Sequence, residues 1–383
     1  MKAFEGAIEL RHSLHRAAEL SGNETRTAEI VREHLERLGP QAIITGLGGY
    51  GLAAVYESDK SGPRVLFRCE LDALPIPEGF SGADASTTAG VSHKCGHDGH
   101  MAILAALAGL LHERPPSAGS VVLLFQPSEE TGAGARFVLD DPRFRPIEPD
   151  LVFALHNLPG YPLGSVLLKD GVFASTARSI RADLEGRTSH AAEPQRGLSP
   201  APALAEILRA WPGAADGVTR GAERALVTVV HARLGEPALG TSPGAATVIA
   251  TLRAESAEVM RRLSERCVSL ADGVAQAEGL AVRIDWLEEF PCTESHASAN
   301  RLVEQAARDA GLAVSRVERP FGWTEDFGHF TATHEGAMFG LGAGVDAAPL
   351  HHPEYGFPDE LVGIGSQLLR RVADMSLAER PLS

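Results

Sequence analysis

The chain has 383 residues, 44% of them hydrophobic and 22% charged, and a formal net charge of −15. That length predicts more than one domain, and the composition is that of a globular protein with a sizeable core. The acidic balance disfavours nucleic acid and anionic membrane as partners, and no uncharged apolar run of about 18 residues is present to span a bilayer.

Four cysteines, Cys69, Cys95, Cys267 and Cys292, are scattered without disulfide-like spacing, which suits a reducing compartment. Met1-Lys2-Ala3-Phe4-Glu5 has no apolar core ahead of a cleavage site, so no signal peptide is expected and the expected location is the cytoplasm.

In chain order, Phe4 to Leu20 and Thr25 to Leu38 read as amphipathic helices, broken by Ser21-Gly22-Asn23 and Gly39-Pro40. Strand-like runs follow at Ala42 to Thr45, Leu52 to Tyr56 and Arg64 to Cys69. The last leads into Glu70-Leu71-Asp72, and open α/β sheets place their chemistry at such carboxyl ends. A solvated turn would look the same in isolation.

Ser92-His93-Lys94-Cys95-Gly96-His97-Asp98-Gly99-His100 packs three histidines, a cysteine and an aspartate into nine residues. Cys95 and His97 sit two apart, which a helix would put on different faces, so the spacing predicts a loop turning at Gly96. Thiolate and imidazole converging from a loop are metal-ligand chemistry; a polar surface turn is the alternative. Met101 to Leu111 reads as a buried helix anchoring the loop.

Ser120 to Phe125 is a buried strand by composition and delivers Glu129-Glu130. Adjacent carboxylates point different ways, so one can hold a metal while the other acts as a base. Leu151 to Leu155 is another apolar strand, with His156-Asn157 at its end.

From about Ala177 to Glu289 the pattern is strand, helix, strand, strand, helix, strand, the βαββαβ order of a ferredoxin-like unit. This predicts a separate domain inserted into the first. Helices on a four-stranded sheet leave an edge strand free to pair with another subunit. The chain then returns to α/β character: a helix from Ala297 to Ala310, an acidic turn at Glu325-Asp326, a strand from Ala337 to Leu341, Leu350-His351-His352-Pro353, and a helix from Pro358 to about Ala378.

Together these segments resemble the M20 metallopeptidase and amidohydrolase family, and its amidohydrolase branch in particular: hippurate hydrolases, N-acyl-amino-acid amidohydrolases and auxin-conjugate hydrolases. The resemblance spans nearly the whole chain. It rests on Leu14-His15, Glu70-Leu71-Asp72-Ala73-Leu74-Pro75, Cys95-Gly96-His97-Asp98-Gly99-His100, Phe125-Gln126-Pro127-Ser128-Glu129-Glu130, Ala154-Leu155-His156, Ser189-His190-Ala191-Ala192, Thr324-Glu325-Asp326-Phe327 and Leu350-His351-His352-Pro353. It implies an α/β fold: a zinc-peptidase-like catalytic domain with a mixed sheet flanked by helices (residues 1–176 and 290–383), and an inserted ferredoxin-like α+β lid or dimerisation domain (177–289).

The resemblance also implies two divalent metal ions per subunit, Zn2+ or Mn2+, with Co2+ and Ni2+ as alternatives. Cys95, His97, Glu130, His156 and His351 match the ligands, Glu129 the general base, and Asp72 the aspartate beneath the metals. His190 matches a histidine that reaches the scissile amide, in some relatives from the partner subunit. A homodimer and a small-molecule substrate are implied as partners.

The implied activity is hydrolysis of N-acyl amino acids to a carboxylic acid and an amino acid. A dipeptidase or carboxypeptidase of the same family, or a catalytically silent small-ligand binder, are the alternatives. Relatives often carry asparagine where this chain has Gly240, histidine at Gln195 and aspartate at Ser199, while Arg253 stays in register. Arg253 is the expected reader of a substrate carboxylate; a structural ion pair with Glu255 or Glu258 is its alternative. Lys94 stands where relatives usually have alanine, and is expected to lower the Cys95 thiol pKa. Acyl group, amino acid and metal identity are not legible.

Overall fold

The computed structural model describes residues 2–219 and 223–378. Met1, residues 220–222 and residues 379–383, which the expected segments include, lie outside them. In chain order the first half holds α1 (Lys2–Arg16), α2 (Thr25–Glu36), β1 (Ala42–Leu47), β2 (Gly51–Glu57), β3 (Arg64–Glu70), α3 (His97–Glu113) and β4 (Ser120–Gln126). Then come α4 (Gly134–Leu139), β5 (Leu151–Leu158), β6 (Val166–Leu168) and β7 (Gly171–Ala174). The middle holds β8 (Thr176–Glu185), β9 (Ser189–His190), α5 (Ala201–Ala210), β10 (Ala225–Leu234), β11 (Thr241–Ser242), β12 (Ala245–Ala254), α6 (Ala257–Ala277) and β13 (Ala281–Phe290). The chain ends with β14 (Thr293–Ser295), α7 (Ala297–Asp309), β15 (Val314–Arg316), α8 (Gly328–Thr331), β16 (Glu335–Gly342) and α9 (Glu360–Ala378).

These elements form two compact units, the second spanning Ala174–Cys292 together with Phe321–Thr324. The first unit carries a mixed eight-stranded sheet in the order β1-β2-β4-β3-β5-β16-β6-β15. Within it β4, β3, β5 and β16 run parallel, so their carboxyl ends share one edge, where an open α/β sheet presents its chemistry. The parallel strands read as near-continuous apolar runs because both faces are covered. Helix α3 is apolar nearly all round and almost entirely buried; α1 and α9 pack on it. A truncation there such as Leu104→Ala would cost about 2–5 kcal/mol.

The first helix is shorter than its pattern suggests. It stops at Arg16, and the chain opens so that the Glu19 carbonyl accepts the Ala73 N–H at 2.8 Å. Leu20 then bridges Ala73 in parallel. The expected loop through His100 is shorter too. Gly96 adopts φ 91° and α3 begins at His97, so His97 to His100 form a helical first turn.

The second unit is a four-stranded antiparallel sheet in the order β10-β12-β8-β13. With α5 and α6 this is the ferredoxin-like arrangement that the βαββαβ pattern predicts. Alternate residues of β8 (Ile180, Ala182, Leu184) and β12 (Val248, Ala250, Leu252) meet Leu204 and Ile207 of α5 and Leu263, Cys267 and Ala271 of α6. Ser256 caps α6 by accepting the Val259 N–H at 3.3 Å. The edge strand β10 exposes Leu226, Val230 and Leu234.

Candidate metal centre and catalytic site

Three of the parallel strands deliver the site. Beyond β3 lies Asp72, beyond β4 the Glu129-Glu130 pair, and near the carboxyl end of β5 His156. Ser128 takes a left-handed conformation, φ 55°. Its N–H donates to the buried Glu24 Oε1 at 2.7 Å. The chain then folds into a short 3-10 turn over Glu129–Thr131. That kink keeps both glutamates at the sheet edge.

Gly96 makes the opposite wall. Its positive φ excludes most side chains, and a Cβ there would stand 2.7 Å from Asn157 Nδ2. The glycine thus lets Cys95 and His97 approach His156. The three form one triad whose candidate ligand atoms all lie within 4.8 Å of one another; Cys95, Glu130 and His351 form a second by the same measure. Cys95 belongs to both. The Cys95 Sγ lies 3.5 Å from His156 Nε2, and Glu130 Oε1 lies 3.9 Å from His97 Nε2 and 3.8 Å from His351 Nε2.

The imidazoles are oriented from behind. His97 Nδ1 donates to the Asp72 carbonyl, and His156 Nδ1 to the Asn157 carbonyl, each at 2.9 Å. Each therefore turns the lone pair of Nε2 toward the other ligands, the tautomer a metal requires. Buried His97 Nε2 and Glu130 Oε1 have no hydrogen-bond partner among the described residues. Leaving such atoms unpaired is costly, and a divalent cation would satisfy both. The donor set of sulfur, imidazole nitrogen and carboxylate oxygen therefore fits divalent metal ions.

Electrostatics agree. Burial pushes Glu130 up to about 7, Asp72 adding in the same direction and His97 opposing. Burial also holds Glu129 well above the usual carboxylate range, with Glu325 and Glu130 adding to it. His156 falls to about 3 through burial and then His100, so it stays neutral. An excess of acidic groups that resists ionisation is what a bound cation would relieve.

The expected effect of Lys94 on Cys95 does not appear. Burial, followed by Glu130, pushes the Cys95 thiol up to about 12. The Lys94 ammonium is instead engaged by Glu78 and by the Tyr355 carbonyl at 3.0 Å.

Beneath the site, sequence reasoning gave a role to Asp72 but none to Arg68 and the acids that surround it. Buried Arg68 pairs with Glu70, with Glu325 at 2.8 Å and with Asp326 at 2.5 Å, and donates to Gln126 at 2.8 Å. Glu129 groups with Glu325 and Asp326, so Arg68 neutralises the acids around it. His100, sequence neighbour to the ligands, is occupied at both ring nitrogens by Glu70 Oε2 (2.6 Å) and Asn157 Oδ1 (2.5 Å). The signal was available in part: Arg68 is a cation in the buried part of β3, behind Val65, Leu66 and Phe67, and a cation there needs buried acidic partners.

His190 and Arg253 lie in the second unit. His190 is exposed on β9, where it pairs with Thr241. Its Nδ1 accepts the Ala192 N–H at 3.1 Å, which leaves Nε2–H as an outward donor. Gly240 is next to that hairpin, its carbonyl accepting the Ala191 N–H at 2.9 Å, with open space beside its Cα. Arg253 has no carboxylate partner among the described residues; its Nη1 meets the Gly322 carbonyl at 3.5 Å. Glu255 instead accepts the Arg224 N–H, and Glu258 pairs with Arg261. The His190 hairpin adjoins Gly244, just before β12 begins, through the Thr188 backbone. Arg253 sits at the other end of that strand, roughly 30 Å from Gly244 at the usual rise per residue.

Residues 66–375 match the model of peptidase family M20/M25/M40. The chain is 31% identical over 351 residues to an N-acetyl-L-cysteine deacetylase of Bacillus subtilis, covering 91% of this chain and 82% of that one. It is 27% identical to a hippurate hydrolase of Campylobacter jejuni, covering 97% and 96%. A dinuclear metal-binding M20 peptidase of Bacillus subtilis superposes with a TM-score of 0.82 at 25% identity, over 98% of this chain and 99% of that one. With two ligand triads meeting at Cys95 on the sheet edge, the chain belongs to peptidase family M20/M25/M40 and is a metal-dependent amide hydrolase.

Proposed function

We propose that the protein holds two divalent metal ions and cleaves N-acyl amino acids to a carboxylic acid and a free amino acid. The observation that carries this is Cys95, common to two candidate ligand triads, with Glu129 outside both and grouped instead with His97 and Glu130. Support for the substrate class comes from the relatives, named as a deacetylase of an acylated amino acid and as a hippurate hydrolase.

The metal ions, held by Cys95, His97, Glu130, His156 and His351, would lower the pKa of water and polarise the carbonyl. Glu129, whose proton affinity is raised by burial and then by Glu325, accepts a proton as the oxygen of water bonds to the acyl carbon. It then delivers that proton to the amide nitrogen as the C–N bond breaks. His190 Nε2–H donates to the oxygen on which charge develops. Arg253, lacking an internal carboxylate, is left to read the α-carboxylate of the substrate.

An N-acyl amino acid is far shorter than the span between His190 and Arg253 within one subunit. We therefore infer a homodimer in which each site takes Arg253 from one subunit and His190 from its partner. The free edge strand β10, with exposed Leu226, Val230 and Leu234, offers the pairing surface. No disulfide joins the four buried cysteines among the described residues, which supports a reducing, cytoplasmic place.

The deciding experiment is a screen of purified, metal-supplemented enzyme against N-acyl amino acids, their α-amides and unblocked dipeptides. Preference for N-acyl amino acids with a free carboxylate is expected. Turnover confined to dipeptides would replace this reading with a dipeptidase; none on any amide would leave a silent binder.

A further inference from the structure

We propose that Lys94 is a positioning residue for His351, and so governs the second of the two candidate cation positions. The inference rests on the two-cation reading above. Four of the five ligand side chains are walled in by packing: Cys95, His97 and His156 are buried, and the Glu130 side chain is 16% exposed. The His351 side chain is 51% exposed. Packing alone cannot fix it, so its place depends on the turn that carries it.

That turn holds His351 at φ 64°. The left-handed region is disfavoured for any residue with a Cβ, and persists only where other bonds impose it. Lys94 makes two such bonds. Its carbonyl accepts the His351 N–H at 2.8 Å. Its ammonium donates to the Tyr355 carbonyl at 3.0 Å. One residue thus brackets the turn over 351–355 at both ends. Any amino acid could make the first bond. The second needs a long side chain ending in a donor.

The ammonium is fully buried, which requires a counter-charge. Glu78 supplies it, and the Phe80 ring covers it with its centroid 4.2 Å away. Glu78 is itself anchored by His15 Nε2 at 2.8 Å and the Ser86 N–H at 3.1 Å. Next to it, the Gly79 N–H donates to the Pro353 carbonyl at 3.0 Å. The ammonium therefore ties the loop around Glu78 to the His351 turn, from the residue adjoining Cys95.

The test is titration of metal-stripped wild type, Lys94→Met, His351→Ala and the double variant with Co2+, read by calorimetry and by visible absorption rather than by turnover. Lys94→Met should keep the first Co2+ at wild-type affinity and bind the second about 10–100-fold more weakly. Added to His351→Ala, it should cause no further loss, because the ligand it positions is already gone. Wild-type affinity at both positions in Lys94→Met overturns the proposal, as does full additivity in the double variant. If Lys94→Met does not fold, Lys94→Ala removes the same bond; failure of both to fold makes the lysine a folding requirement and overturns the positioning role. Wild type that binds fewer than two Co2+ ions overturns the two-cation reading itself, whatever the variants do.

Discussion

Asp72 grips Glu130 from below: its Oδ2 accepts the Glu130 N–H at 2.9 Å, while its Oδ1 stands 3.6 Å from Nδ1 of His97. One buried carboxylate thus touches the segments that carry two different ligands. Ser21 Oγ donates to the same Oδ2 at 2.7 Å and keeps the side chain from turning. In Asp72→Asn an amide N–H must face one of these donors. Metal affinity is expected to fall about 10–100-fold with the fold retained. Metal content after dialysis against a fixed free metal concentration, with circular dichroism as control, measures this; unchanged content would remove Asp72 from the support of the site.

Glu129→Gln should separate binding from chemistry. Glutamine keeps the shape but cannot accept the proton of water. Metal content should match wild type while kcat falls by roughly 10² to 10⁴. A variant with full metal content and more than half its activity would strip Glu129 of the role of base.

Metal affinity should rise with pH. Glu130, pushed up to about 7, and Cys95, pushed up to about 12, must both lose protons to become ligands. A cation therefore competes with protons, and affinity is lost as pH falls through the range where Glu130 protonates. Titration with Zn2+ between about pH 5.5 and 8 should show steadily tighter binding and proton release. In the Co2+ form the Cys95 thiolate should give a near-ultraviolet charge-transfer band that Cys95→Ser abolishes. A band that survives the substitution would exclude the thiolate as ligand.

Much of this architecture could be read from the chain because the relevant signals are local. A buried strand followed at once by Glu129-Glu130, or a thiol two residues from an imidazole, is visible in a short window. The ferredoxin-like unit was legible from period and order alone. What stayed hidden is non-local. The acids around Arg68 come from β3 and from residues 325–326, and only folding shows that they share one cation. His97 and His100 look alike in sequence; hydrogen bonds to Glu70 Oε2 and Asn157 Oδ1 occupy both nitrogens of His100, while Nε2 of His97 is left for a metal. The loop through His100 was misjudged because a left-handed Gly96 can start a helix directly behind a ligand. Lys94 was misjudged because sequence adjacency to Cys95 says nothing about where a long side chain points.

The separation of His190 from Arg253 makes the strongest demand on the proposed mechanism. If one substrate touches both, they must come from two subunits, and each single-site variant damages a different half of each composite site. His190→Ala homodimers lack the amide donor at both sites, and Arg253→Ala homodimers lack the carboxylate reader at both. Each alone should be nearly inactive on an N-acyl amino acid, with Arg253→Ala also losing preference for the carboxylate over the α-amide. A mixed dimer has one site with both residues intact and one with neither. It should recover about half the wild-type activity per dimer, because symmetry allows one productive pairing of the two. The test is to co-express the two variants with different affinity tags, isolate doubly tagged dimers and compare their turnover with both parents. Mixed dimers no more active than the parents would mean that His190 and Arg253 do not act across an interface. Arg253→Ala homodimers that still distinguish carboxylate from amide would remove Arg253 from substrate recognition altogether. Gly240 would then mark a change of substrate class rather than the loss of one neutral hydrogen bond beside an intact arginine, a bond that contributes about 0.5–1.5 kcal/mol.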